Sequence, residues 1–300
     1  MAKLLFVVAL IALTANASEP KVLPHAAHGL FTGDDWRYDS DNLIGGLAQR
    51  IVADLIAIPT SLPWWSASDW ALFGGAVGST IALSVGRPSL DVRFQNFVQY
   101  ELLGGEGHFT VWNQTGDLII WSTAAAATLG LLLYGLIAKH GPSTQIALLM
   151  VEAFAVAQLY HNMIKLLVGR AGPQRPELEG NYYGPAQGVK FWPQGTPSGH
   201  MASMYALLSV VMHAVGHPAA WVGFNALALV FGASLVGDNY HWVSDVILGA
   251  AIGFCVGRWV VHHRSTFYVY GTDEAPLVRM GLAPLVLPGS GAGLGLVGSF

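Results

Sequence analysis

The chain has 300 residues, with 14 Lys and Arg against 18 Asp and Glu, and a formal net charge of −4. Only 11% of positions are charged while 53% are hydrophobic, and the mean hydropathy is +0.48. A soluble domain carries roughly a quarter charged residues, so these figures exclude a disordered chain, argue against an ordinary cytosolic enzyme, and leave no basic surplus to neutralise a nucleic acid.

Lys3, an apolar run over 4–13 and Ala15-Asn16-Ala17 read as a secretory signal peptide over residues 1–17, cleaved before Ser18. The run is shorter than the roughly 20 residues that a spanning helix needs. Residues 18–69 read as an N-terminal interfacial segment: apolar residues recur at helical spacing over 42–58, and Trp64, Trp65 and Trp70 suit the headgroup zone. Six apolar spans follow, at 70–86, 118–138, 143–164, 201–215, 219–237 and 244–261. Their lengths fit helices crossing a hydrocarbon core of roughly 30 Å. Several are rich in Gly and Ala, as expected where helices approach closely within a bundle. The expected fold is all-α, a six-helix membrane bundle over 70–264. The tail over 265–300 is rich in Gly and Pro and reads as a loosely ordered segment or a short hairpin. The single cysteine, Cys255, forms no internal disulfide, and no Cys/His cluster has zinc spacing.

The polar residues with chemical use lie at the ends of the later spans. Lys165 closes the third, followed by Gly169-Arg170 and Pro173; Pro197-Ser198-Gly199-His200 opens the fourth; His241 and Asp245 fall between the fifth and sixth. A helix that ends, one that begins, and a turn between two more all lie on one side of the membrane. The Pro-Ser-Gly-His segment sits at a helix N-terminus, where unsatisfied amides and the positive dipole end favour an anion. Ser198 has a hydroxyl to donate, and Gly199 lets the backbone come close. His241 and Asp245 are four apart, on one face once helical, so the carboxylate can fix the imidazole tautomer and stabilise its cation. His200, from another helix, suits a general acid. Two histidines, an anion nest and Lys165 together describe phosphoryl transfer through a phosphohistidine, without a metal.

With these residues the chain resembles the type-2 phosphatidic acid phosphatase/haloperoxidase superfamily over roughly residues 118–262. That family's pattern is Lys, six residues, Arg-Pro; then Pro-Ser-Gly-His; then Ser-Arg, five residues, His, three residues, Asp. Here the pattern reads Lys165 to Gly172-Pro173, Pro197 to His200, and Ser234-Leu235 to His241 and Asp245. The resemblance implies that His241 is the nucleophile, Asp245 its partner and His200 the group that protonates the leaving oxygen. It implies that Lys165, Ser198 and Gly199 hold the phosphate, with no cofactor. Two family arginines are replaced, by Gly172 and Leu235. A charge-assisted hydrogen bond contributes roughly 1.5–3 kcal/mol, so losing two costs on the order of 10²–10⁴ in rate. Arg170 and the displaced Arg175-Pro176 are the expected partial substitutes.

The remaining polar residues read as follows. Glu152, inside the third span, is expected to bond between helices. His161 and Asn162 lie near the pocket, His213 is structural, and Asp238 and Tyr240 flank the turn that carries His241. The expected activity is hydrolysis of a phosphate monoester or diphosphate on a lipid, in a bacterial envelope membrane, with the inner membrane favoured over a soluble periplasmic form. The alternatives are a catalytically degenerate lipid-phosphate binder and, below it, a vanadate-dependent haloperoxidase.

Overall fold

A computed structural model of the chain describes residues 43–86, 88–102, 104, 114–174, 182, 184–185, 195–265, 279–287 and 291–299. The expected signal peptide, the segment up to residue 42 and Arg175 lie outside them. Among the described residues there are eight α-helices: α1 (Leu43–Thr60), α2 (Ala67–Ser84), α3 (Leu90–Asn96), α4 (Gln114–Ile137), α5 (Gly141–Val168), α6 (Gly199–Val215), α7 (Pro218–Gly237) and α8 (Val243–Arg264). Each expected span coincides with one of them, α2 and α4 to α8. The helical spacing over 42–58 is met by α1.

The boundaries fall where the sequence supplies caps. Ser66 and Asp69 form a reciprocal capping box that opens α2. Ser89 opens α3, which runs on into a π-helical turn, Phe97–Leu102. Pro142 and Pro218 sit in the first turns of α5 and α7, where a missing amide proton costs nothing. Gly169, in the left-handed region, ends α5 four residues after Lys165.

The bundle is organised around α6 and α8, which share its largest interface, with α5 packed on both. Gly249, Gly253 and Gly257 form a stripe at helical spacing on α8. A Cβ at these positions would lie 2.3 Å from the Ser198 carbonyl oxygen, 2.2 Å from that of Ala202 and 2.7 Å from that of Ala206. The stripe is what lets the two backbones meet. One apolar cluster joins α5, α6 and α8 through Ala153, Val156, Ala157, Ala206, Val210 and Val260. A second joins α6, α7 and α8 through Met201, Tyr205, Met212, Phe231, Leu235 and Phe254.

The outside of the bundle explains the composition. Leu118, Ile119, Leu129, Leu133 and Ile137 on α4, and Val222, Leu227 and Val230 on α7, are large, apolar and exposed. In water such surfaces are costly; in a bilayer they face hydrocarbon. Four helices are long and apolar enough to cross a membrane: Leu118–Ile137, Gly141–Val168, Pro218–Gly237 and Val243–Arg264. α6 is shorter and buried along most of its length, so its neighbours are other helices rather than lipid. The protein is a helical membrane bundle.

α1 is fastened to this bundle by charge. Arg50 Nε donates to Glu152 Oε2 at 2.9 Å, and Arg264 bridges Asp54 Oδ1 at 2.5 Å and Glu152 Oε1 at 3.5 Å. Two carboxylates and two guanidiniums thus neutralise one another in a buried cluster, the arrangement that makes a buried charge tolerable. Glu152 is the interhelical partner that the sequence suggests. The tail adds an antiparallel hairpin, β1 (Arg279–Leu287) with β2 (Gly291–Ser299), in which Arg279 faces Ser299.

Candidate active site

The turn between α7 and α8 is built by wrapping the end of α7 back on itself. Tyr240 N and His241 N both donate to Leu235 O, at 2.9 and 3.2 Å. Asn239 takes the left-handed conformation, with φ 60°, which Asn tolerates better than most residues. α8 then starts at once, and Asp245 caps it from within, its Oδ2 accepting from Trp242 N at 3.1 Å. The result places His241 Nδ1 3.6 Å from Asp245 Oδ2, with both side chains buried. That gap is longer than a hydrogen bond and within the range of an ion pair.

Burial pushes the His241 imidazole down to about 4; Asp245 opposes the shift, while the charges of Lys165 and His200 add to it. The ring is therefore neutral at neutral pH. With Nδ1 turned to the carboxylate, the proton belongs there, and Nε2 keeps its lone pair. This is the state a nucleophilic imidazole needs.

The start of α6 meets this pair directly. Ser198 N donates to Asp245 O at 2.9 Å, and Ser198 Oγ caps its own helix by accepting from Met201 N at 3.3 Å. Gly199 occupies the first helical position, where its amide has no intrahelical acceptor. His161 lies over it, since a Cβ at Gly199 would fall 2.6 Å from His161 Nε2. Gln158 Nε2 donates to Gly199 O at 3.1 Å, which ties the same spot to α5. The His200 ring sits edge-on to His241, centroids 5.7 Å apart, among Trp121, Phe231 and Tyr240. Lys165 is buried and close enough to act on both His241 and Asp245. Lys165, Ser198, Gly199, His200, His241 and Asp245 thus converge at one end of the bundle.

Arg170 converges there too, but behind the pair. Its Nη1 donates to Asp245 Oδ1 at 3.0 Å and to Ser244 Oγ at 2.7 Å, and its Nη2 donates to Asp91 Oδ2 at 2.7 Å. The guanidinium also lies 5.2 Å from the Tyr182 ring centroid and 5.6 Å from that of Trp242. Thr196 Oγ1 donates to the same Asp245 oxygen. Gly172 is buried, and Leu235 belongs to the apolar cluster of α6, α7 and α8. His213 lies far along α6, bonded to Ser209 O at 2.7 Å and packed on Trp221 and His262. Among the described residues no group of three or more His, Cys, Asp or Glu side chains is arranged to hold a metal ion.

Asp91, Thr196, Ser244, Gln158, Trp121 and Phe231 were not singled out by the sequence. Ser244 and Thr196 adjoin recognised residues, a weak signal. Asp91 and Trp121 lie on α3 and α4, outside the motif-bearing segments, and nothing in the sequence points to them.

A family model described as the PAP2 superfamily matches residues 146–268. A lipid A 1-phosphatase of Porphyromonas gingivalis is 38% identical over 108 residues, covering 29% of this chain and 24% of the relative. The chain therefore spans about a quarter of the length of that curated relative. No solved structure matches. The matched segment carries Lys165, the start of α6 and the His241–Asp245 pair, the residues that converge in space, and over it the chain is similar to the PAP2 superfamily.

Proposed function

We propose that this protein is a lipid phosphatase of a bacterial inner membrane, working through a phosphohistidine. The observation that carries the reading is the buried, neutral His241 held against Asp245 beside the amide-rich start of α6. His241 Nε2 attacks phosphorus while the bond from phosphorus to the lipid oxygen breaks. His200 passes its proton to that leaving oxygen. Asp245 stabilises the positive imidazole that results. Water, giving a proton to His200, then cleaves the phosphorus–nitrogen bond, and inorganic phosphate leaves. Lys165, the Ser198 hydroxyl and the Gly199 amide hold the phosphoryl oxygens as charge redistributes.

The apolar exterior and the lipid A 1-phosphatase relative support a lipid carrier for the phosphate. The test is phosphate release by the purified, folded protein from lipid A phosphate, phosphatidate, phosphatidylglycerophosphate and polyprenyl diphosphate. Turnover of at least one, abolished in His241→Ala, is the expected result; no release from any of them overturns the reading. Leu235 in the apolar core and Gly172, where the family keeps arginines, favour a second reading, a lipid-phosphate binder without turnover. Saturable binding of the same lipids with no phosphate released would identify it.

A further inference from the structure

We infer that Asp91 is a positioning residue for the His241–Asp245 pair, acting through Arg170. Asp91 is fully buried, on short α3, outside the segment matched by the family. Its Oδ1 accepts from Ser244 N at 3.0 Å, so it caps α8 from another element. Its Oδ2 accepts from Ser244 Oγ at 2.5 Å and from Arg170 Nη2 at 2.7 Å.

The consequence lies in how the guanidinium divides its fork. A guanidinium beside one carboxylate tends to engage both oxygens in parallel. Here Nη2 is taken by Asp91, so Arg170 reaches Asp245 through Nη1 and through Oδ1 alone. Oδ2 is left for Trp242 N and for His241. Removing Asp91 frees Nη2 to swing onto Asp245, where it competes with His241 for Oδ2. α3 and the π-helical turn that continues it grip the same turn a second time. Gln99 Nε2 donates to Gly237 O at 3.3 Å and to Asn239 Oδ1 at 2.6 Å, and Gln95 Nε2 also donates to Asn239 Oδ1. α3 with its π-helical continuation thus holds the turn that presents His241 from one side and its carboxylate from the other.

This role for Asp91 rests on His241 being the nucleophile. The experiment compares steady-state phosphate release by the full chain with that of Asp91→Asn, Asp91→Glu, Ser244→Ala, Asp91→Asn/Arg170→Gln and His241→Ala. Asp91→Asn should lower kcat about 10- to 100-fold, the scale of a small misplacement in a catalytic group, with KM changed less than about twofold. Asp91→Glu should recover part of that loss. The double variant should be no worse than Asp91→Asn alone, because the competing guanidinium is gone. If Asp91→Asn does not fold, Ser244→Ala, which loosens the clamp and keeps its charges, should still lower kcat several-fold at constant KM. An unchanged kcat in folded Asp91→Asn, or in Ser244→Ala where the former does not fold, overturns the role of Asp91. Full activity in His241→Ala overturns the nucleophile instead.

Discussion

The amide of Ser198 donates to the carbonyl of Asp245 at 2.9 Å, so the first turn of α6 and the first turn of α8 are fastened to each other by backbone. The amide-rich start of one helix and the carboxylate of the other cannot move independently. Gly249 sits directly beside this bond, and any Cβ there meets the Ser198 carbonyl oxygen at 2.3 Å and its carbon at 3.1 Å.

Gly249→Ala should therefore separate the two helix starts. Backbone cannot step aside as a side chain would, and overpacking of this kind costs about 1–3 kcal/mol. Phosphate release should fall along with the thermal midpoint. Gly223→Ala on α7, where a Cβ meets nothing within 4 Å, is the matched control and should leave both unchanged. Equal behaviour of the two variants would refute the close-approach argument.

His200 should show its part through the leaving group. His200→Ala removes the proposed proton donor, so release of phosphate from a lipid ester should drop about 10²- to 10⁴-fold. Nitrophenyl phosphate needs no protonation to leave, so its first step should survive. Its water-driven second step, which also uses His200, should not. Rapid mixing should then show a burst of nitrophenol close to one equivalent, followed by slow turnover. The absence of a burst, with wild-type rates on the lipid, would remove His200 from the mechanism.

The way these residues could and could not be foreseen has a physical cause. Lys165, the Pro-Ser-Gly-His segment and the His241–Asp245 spacing are legible because each is tied to a helix end, and helix ends follow from hydrophobic length and local caps. Arg170 is visible as a polar residue near the site, but spacing from Lys165 does not say which way its guanidinium turns. That is decided by Asp91, 79 positions away on another helix. Ser89-Leu90-Asp91 reads locally as nothing more than a helix start. Glu152 is similar: its need for a partner is clear from its place in an apolar span, yet Arg50 lies 102 positions earlier. Local rules give the elements; the pairing of buried charges belongs to the packing.

The Glu152 cluster should separate stability from catalysis. Glu152 lies thirteen residues before Lys165 on α5, about 20 Å along the axis. Glu152→Ala leaves Arg50 and Arg264 facing each other in a buried setting without their shared carboxylate. A loss of about 3–5 kcal/mol is expected, read as a lowered unfolding midpoint in detergent, with KM unchanged in the protein that remains folded. The double change Arg50→Met/Glu152→Leu, which removes charge from both sides, should recover part of the stability. A double variant less stable than Glu152→Ala would show that the pair is worth more than its desolvation.

The titration of His241 sets the final expectation. Burial holds its folded value at about 4 against an ordinary value of 6.5. Between those values the unfolded chain binds more protons than the folded one, so stability rises with pH across that window and is lost as pH falls through it. His241→Gln should flatten that part of the stability curve. Catalysis should follow the same sign, because the proposed nucleophile stays neutral far below the usual imidazole range. The acid limb of kcat/KM that belongs to His241 should lie near 4. It should move up toward 6.5 in a variant that opens the site to water, such as Leu235→Ser beneath the turn, because desolvation is the larger cause of the shift. An acid limb for His241 already at 6.5 in the unaltered protein would mean that the ring is solvated, and would overturn burial as the control on its titration.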